Sequence, residues 1–435
     1  MTLSDRLASA LNARGLYYGW VVAGTTFLVM LATAGAMGAA GVLIGPLQAE
    51  FGWSTEEISS ALALRLVIFG LLGPFAAAFM NHFGLKKVVT AALALIAAGV
   101  LGSMLMRELW QLVLLWGVVV GIGTGVTALV LGATVASRWF EKRRGLVVGM
   151  MTASNATGQL VFLPLLASLA ENIGWRTALA FVLVTLSLAF ALALFLLRDH
   201  PADVGLPVYG RTQVTPSPPR GHRLIELLTT PLLTLREAAR TQVFWVLFAT
   251  FYVCGFSTNG LIQQHWISIC GDVGITPTGA AGYLALIGAF DFAGTILSGW
   301  LSDRYDNRYL LLAYYGLRGL SLLYLPFSGF SLLTLTAFAV FYGLDWVATV
   351  PPTVKLTAAR FGAEKAGLVF GWVFAGHQLG AASAAFLAGA VKTGTQSYYP
   401  AILLAGVFCV LAAVLVLSIS RQPAAPATAV PAAGY

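Results

Sequence analysis

Five ionisable side chains stand in otherwise apolar stretches of this 435-residue chain: Arg65, Asp291, Arg318, Asp345 and His377. Charge in hydrocarbon is costly, so such groups mark a binding or proton-handling site by default. The chemistry that suits them is narrow. Arginine holds a carboxylate through two parallel hydrogen bonds, which makes Arg65 the candidate anion contact. An aspartate whose arginine partner comes and goes can take up and release a proton. Asp291, Arg318 and Asp345 are the candidates for that role. At about 1.5 Å per helical residue, Arg65 lies roughly 16 Å from Ser54, Asp291 roughly 16 Å from Ser302, Arg318 roughly 15 Å from Arg308 and His377 roughly 16 Å from Ala366. All then sit near the middle of a hydrocarbon core about 30 Å thick.

Uncharged polar residues fall in stripes at helical spacing. Thr152, Asn155 and Gln159 share one face, as do Asp291, Thr295 and Ser298, and Tyr342, Asp345, Trp346 and Thr349 just before Pro351-Pro352. Asn259 and Gln263 share another. Asn155, Gln159, Asn259, Gln263 and His377 are the candidate substrate contacts beside Arg65. Each has a packing alternative. Arg318 could form a structural ion pair with Asp291 at matching depth, Asp345 could pair with either arginine, and Asn155, Gln159 and His377 could bond helix to helix. Lys355 is placed to snorkel to a membrane boundary.

Apolar elements must position these groups. The chain is 58% hydrophobic and 10% charged, with a mean hydropathy of +0.84. Soluble domains carry roughly 25% charge, so a soluble enzyme, a secreted domain and a disordered chain are excluded. Twelve stretches have the length of a span: 18–47, 58–80, 88–106, 110–136, 145–169, 177–197, 243–268, 279–301, 309–328, 331–357, 367–390 and 399–420. The first is too long for the apolar part of a cleavable signal peptide. The net charge of +8 is not a nucleic-acid footprint. With both termini cytoplasmic, every Lys and Arg lies in a cytoplasmic segment except Arg107, Arg176 and Lys392 outside and Arg65 and Arg318 within spans. That asymmetry predicts cytoplasmic termini. The proline-rich segment 198–240 reads as a cytoplasmic linker with an amphipathic stretch near 222–240, and the Ala/Pro-rich tail 422–435 as disordered.

The chain repeats at an offset of 222 residues: Arg138 matches Arg360, Gly145 matches Gly367, Gly149 matches Gly371, Gly52 matches Gly274 and Lys86 matches Arg308. Asn155 falls on His377. Ser54 through Glu57 reads as a capping box, and Thr276-Pro277 as a cap followed by proline. The predicted fold is an all-α membrane protein with twelve transmembrane helices in two pseudo-symmetric six-helix bundles, 1–197 and 241–421.

Gly299-Trp-Leu-Ser-Asp303-Arg304-Tyr-Asp-Asn-Arg308 resembles the loop motif of the major facilitator superfamily. In the first copy Asn81 and His82 replace the Asp and Arg, which weakens a charge lock there. Asp303 and Arg304 are expected to act as a gating loop, holding helix ends together in one conformation. Trp139-Phe140-Glu-Lys-Arg143-Arg144-Gly-Leu146-Val-Val-Gly149, with Tyr18-Gly19-Trp20, resembles the monocarboxylate transporter and oxalate/formate group. That resemblance implies transport of a small carboxylate with a proton. One departure stands out: Asp291 is followed four residues on by Thr295, where that group often carries arginine.

The expected function is a proton-coupled secondary transporter of a small organic anion, a monocarboxylate, monomeric in a bacterial-type inner membrane. An exchanger or drug-efflux carrier of the same superfamily fits the same features, as does a transporter-like receptor that binds without moving its ligand. The bilayer, a proton and the anion are the expected partners, with no nucleic acid. No P-loop, His-Glu-x-x-His or Gly-x-Ser-x-Gly motif is present, and Cys254, Cys270 and Cys409 form no redox pair or metal set. No enzyme activity, cofactor or metal is expected.

Overall fold

The computed structural model describes residues 3–127, 129–214, 216 and 224–420, without the side chains at 3, 129, 144, 145, 152, 153, 155–157, 159, 160, 224–227, 363 and 364. The described chain is helical, with one isolated parallel bridge between Phe140 and Tyr209. The first helices are α1 (Leu3–Asn12), α2 (Gly19–Phe51), α3 (Thr55–Phe83) and α4 (Leu85–Met104). A composite span follows: α5 (Leu109–Leu112), π-helical turns at Val113–Val120, α6 (Gly121–Val126) and α7 (Leu129–Trp139). Then come α8 (Arg144–Asn172), α9 (Trp175–Leu196) and α10 (Leu224–Ala238). A second composite joins α11 (Gln242–Gly255), π-helical turns at Phe256–Ile262 and α12 (Gln263–Gly271). The last six are α13 (Pro277–Ser302), α14 (Asn307–Tyr324), α15 (Leu332–Asp345), α16 (Val350–Phe361), α17 (Ala363–Thr395) and α18 (Tyr399–Val416).

Among the described residues, ten helices or composites are long and apolar enough to cross a membrane. They cover every stretch read as a span except 145–169 and 367–390. Those two belong to α8 and α17, of 29 and 33 residues, both of which contain side chains outside the described set.

Local chemistry starts the helices where expected. Ser54 Oγ accepts from the Glu57 N–H at 3.1 Å while the Glu57 carboxylate accepts from the Ser54 N–H at 2.7 Å, so two orphan donors are satisfied reciprocally. Thr276 caps α13 ahead of Pro277, and Ser331 caps α15. Ser54 and Thr276 mark one end of the bundle; Lys86, Arg138, Asp303 and Arg360 mark the other, the basic end.

Helices before α10 meet those after it along three lines: α3 on α17, α8 on α13 and α2 on α12. The Ser54 end is closed. The Glu56 N–H donates to Thr393 Oγ1 at 3.2 Å, and Thr278 Oγ1 donates to the Glu171 carboxylate at 2.7 Å. A Cβ on Gly41 of α2 would lie 2.9 Å from the carbonyl oxygens of Gln263 and Gln264, so glycine is what lets α2 reach α12. At the basic end, α7 packs on α2, α3 and α8, and α16 on α11, α13, α14 and α17.

The start of the linker is built onto the basic end. Tyr209 donates its N–H to the Trp139 carbonyl at 2.9 Å, and its own carbonyl accepts from Glu141 and Lys142. Its ring lies 5.2 Å from Tyr17 and 5.8 Å from Phe140. Trp20 and Phe140 are 4.9 Å apart. The two segments that carry the monocarboxylate-group resemblance therefore meet, with the linker packed over them.

Candidate functional site

Arg65 is 1% exposed. It faces α2 and α6, and the approach of α6 depends on Gly121, whose Cβ would come within 3.3 Å of the Arg65 backbone. Its Nη1 donates to the Met37 carbonyl at 3.1 Å. Nε and Nη2 have no partner among the described residues. Those two nitrogens form the side-on edge of the guanidinium, the fork that matches two carboxylate oxygens. A buried donor without an acceptor is costly, and here two sit on one edge, both pointing the same way.

His377 lies on α17, the helix that runs along α3. Its ring stacks on Phe374 at 5.4 Å and lies 5.3 Å from Phe251. Gln378 Nε2 is 3.3 Å from His377 Nδ1. Phe374 in turn meets Phe69 of α3 at 6.1 Å, one helical turn beyond Arg65. Leu66 packs with Ala381, Ala382 and Ala385. Arg65 and His377 thus belong to one interface, joined by aromatic and small side chains.

Asn259 stands in the π-helical turns and Gln263 at the start of α12, where α2 comes close. Both are half-buried. Such turns recur at functional positions because they rotate side chains out of helical register. Asn155 and Gln159 lie on α8, and their side chains are outside the described residues.

The acidic group is arranged differently from the expectation by depth. Arg318 does not pair with Asp291. Its Nε donates to Asp345 Oδ2 at 2.6 Å, and its Nη2 to the carbonyls of Asp345 and Trp346 at 2.5 and 3.2 Å. Its Nη1 is 3.0 Å from Cys254 Sγ. The reason lies between α15 and α16, where the transmembrane segment breaks. Pro352 brings no N–H to the Ala348 carbonyl one turn before it, and the Val350 N–H bonds the Val347 carbonyl rather than that of Trp346, so the carbonyls of Asp345 and Trp346 also fall outside the helical ladder. Neighbouring helices satisfy the exposed backbone. Arg318 takes two carbonyls, Ser298 donates to that of Ala348 at 2.5 Å, and Asp291 Oδ1 accepts the Val347 N–H at 3.0 Å. Asp291 Oδ1 also accepts from Thr295 Oγ1 at 3.0 Å. The Asp291, Thr295, Ser298 stripe therefore faces the break. Asp345 Oδ1 is buried without a partner among the described residues.

Asp303 forms an ion pair with Lys355, tying the end of α13 to α16. Lys355, expected to snorkel to a membrane boundary, is thus also the partner of Asp303. Arg304 turns back on its own segment, with its guanidinium 3.9 Å over the Trp300 ring and Nη1 donating to the Trp300 carbonyl at 3.3 Å. Of the two loop residues, Asp303 reaches another helix and Arg304 stays on its own segment. In the first copy Asn81 instead accepts from Arg138 Nη2 at 2.6 Å.

Sequence reasoning missed Cys254, which it set aside as a scattered thiol. A single cysteine carries no pattern, and only the fold brings it to Arg318. Among the described residues no group of His, Cys, Asp and Glu could hold a metal.

A polar interface within an apolar helical bundle has a match among known families. The sequence matches the Major Facilitator Superfamily over residues 25–344 and 266–434. The chain belongs to the major facilitator superfamily. Three similar superfamily proteins place it further. It is 24% identical over 387 residues to the uncharacterised MFS-type transporter YcxA of Bacillus subtilis, covering 86% of this chain and 88% of that one. It is 26% identical to monocarboxylate transporter 13 of Rattus norvegicus, covering 90% of this chain and 86% of that one. With human monocarboxylate transporter 11 the identity is 28%, over 66% of this chain and 57% of the human protein. As a superfamily transporter the chain is a multi-pass membrane protein that acts on a small molecule.

Proposed function

We propose that this superfamily member is a secondary active transporter of small monocarboxylates, coupled to a proton and working by alternating access. The reading takes the chain as twelve spans in two six-helix halves, with both termini cytoplasmic in an inner membrane. The observation that carries it is the open Nε/Nη2 edge of Arg65. A desolvated carboxylate needs a fixed cation with two aligned donors, and the other buried arginines are occupied: Arg318 by Asp345, Cys254 and backbone carbonyls, and Arg308 by Asp306 and the Ile419 carbonyl. The names of the relatives supply independent support for a carboxylate. His377, Asn259 and Gln263, with Asn155 and Gln159, are the polar groups offered to the rest of the substrate. Asp291, beside the break between α15 and α16, is the proposed proton carrier. Protonation there would remove the charge facing the break while leaving a carbonyl acceptor for the Val347 N–H and Thr295.

Purified protein in proteoliposomes should accumulate radiolabelled monocarboxylates when the outside is made acidic. Entry without any response to the pH gradient would remove the coupling, and no entry of any carboxylate would remove the reading as a whole.

The Asp303–Lys355 pair makes a separate prediction. It joins helix ends on the basic side, so it should affect interconversion rather than the substrate pocket. Asp303→Asn should slow uptake about tenfold, a loss near 1.4 kcal/mol in the barrier, while equilibrium binding of the transported carboxylate stays at the wild-type value. A parallel fall in binding and uptake would mean that the pair only supports folding.

A further inference from the structure

α10 has two faces of different character. One is fastened to the bundle. Trp372 Nε1 donates to the Pro231 carbonyl at 2.8 Å, Lys365 Nζ reaches both Glu237 oxygens at 2.7 Å, and Ala238 is buried. The other face carries Leu228 and Leu232, 48% and 49% exposed, followed at the same four-residue step by Arg236 and Arg240. Leu233 beside them is 60% exposed. Neither guanidinium forms a hydrogen bond or ion pair among the described residues. The stripe is thus apolar at one end and openly cationic at the other.

The position of α10 says what covers this stripe. Only residues 239–241 separate it from α11, the start of a membrane-crossing composite. Trp245, on the first turn of α11, is 51% exposed and donates its indole N–H back to the Ala239 carbonyl at 2.7 Å. An exposed tryptophan with its polar end tied toward the chain turn is the habit of the membrane–water boundary. The stripe is continuous with that lipid-facing surface. An amphipathic helix at this level buries its leucines at the boundary between headgroups and acyl chains, and arginines beside them attract anionic headgroups.

We propose that α10 is an interfacial helix that lies in the leaflet at the basic end and binds anionic phospholipid through Arg236 and Arg240. It packs on both α3 and α17, helices from opposite sides of the linker. A lipid that fixes α10 therefore acts on their shared interface, whatever the substrate.

The test is site-directed spin labelling of the full chain in phosphatidylcholine vesicles, with and without phosphatidylglycerol. The native cysteines are all buried, so Leu228→Cys and Leu232→Cys each give one reactive site. Nitroxides at both should be relaxed more by oxygen, which dissolves in acyl chains, than by a water-soluble nickel chelate. Phosphatidylglycerol should lower their mobility, and Arg236→Gln with Arg240→Gln should abolish that response. Relaxation dominated by nickel at both positions would overturn the interfacial placement and leave a soluble partner or a second copy as the occupant. Oxygen dominance with no response to phosphatidylglycerol would overturn the anionic-lipid contact.

Discussion

Replacing Arg65 with alanine should raise the apparent KM for carboxylate uptake at least about tenfold, with the protein still folded. Hydrogen bonds to a charged group contribute about 1.5–3 kcal/mol, and about 1.4 kcal/mol is a factor of ten in affinity. Arg65 offers two such bonds from one edge, and the burial of the site keeps water from replacing them. Folding should survive, because among the described residues Arg65 has one partner, the Met37 carbonyl, and its removal eliminates a buried cation with two open donors. Arg65→Lys separates charge from geometry. Lysine keeps the charge but presents a point donor in place of a fork, so it should recover only part of the affinity. Uptake by the alanine variant at wild-type KM would remove Arg65 from the binding site.

Some of this was legible without coordinates, and the boundary is physical. Capping at Ser54 and Thr276 is a local matter of side chain and backbone within one turn, and the structure places those caps where the residue types indicated. The break between α15 and α16 was not read from the sequence, which took 331–357 as one uninterrupted stretch. Depth along a span follows from residue count. Azimuth does not. Asp291 and Arg318 were matched by depth on neighbouring helices, and the structure instead takes the other pairing read from the sequence, Arg318 with Asp345, with the guanidinium also on the carbonyls of Asp345 and Trp346. The same limit hid Cys254, which reaches Arg318 across helices 64 residues apart in sequence. The docking of the linker onto Tyr17, Trp139 and Phe140 was also out of reach, because residues 198–211 carry no periodic pattern to say which surface they cover.

The largest loss of stability should come from Arg318→Ala. It leaves the Asp345 carboxylate buried without its cation and strips donors from the carbonyls of Asp345 and Trp346. Breaking a buried pair from one side costs about 3–5 kcal/mol, enough to lower the thermal midpoint of the detergent-solubilised protein well below that of the wild type. Asp345→Asn should also destabilise, since it leaves Arg318 charged and unpaired. Asp291→Asn should behave differently. Asparagine can still accept from the Val347 N–H and Thr295, so the break between α15 and α16 keeps its support and the midpoint should stay near the wild-type value. What this variant cannot do is gain and lose a proton. It should fail to accumulate substrate under a pH gradient while still exchanging internal for external substrate. Thermal midpoint and accumulation measured side by side therefore separate a structural pair, Arg318 with Asp345, from a proton carrier, Asp291. If Asp291→Asn still accumulates substrate while a well-folded Asp345→Asn does not, the carrier is Asp345, whose unpartnered Oδ1 then becomes the place where the proton binds.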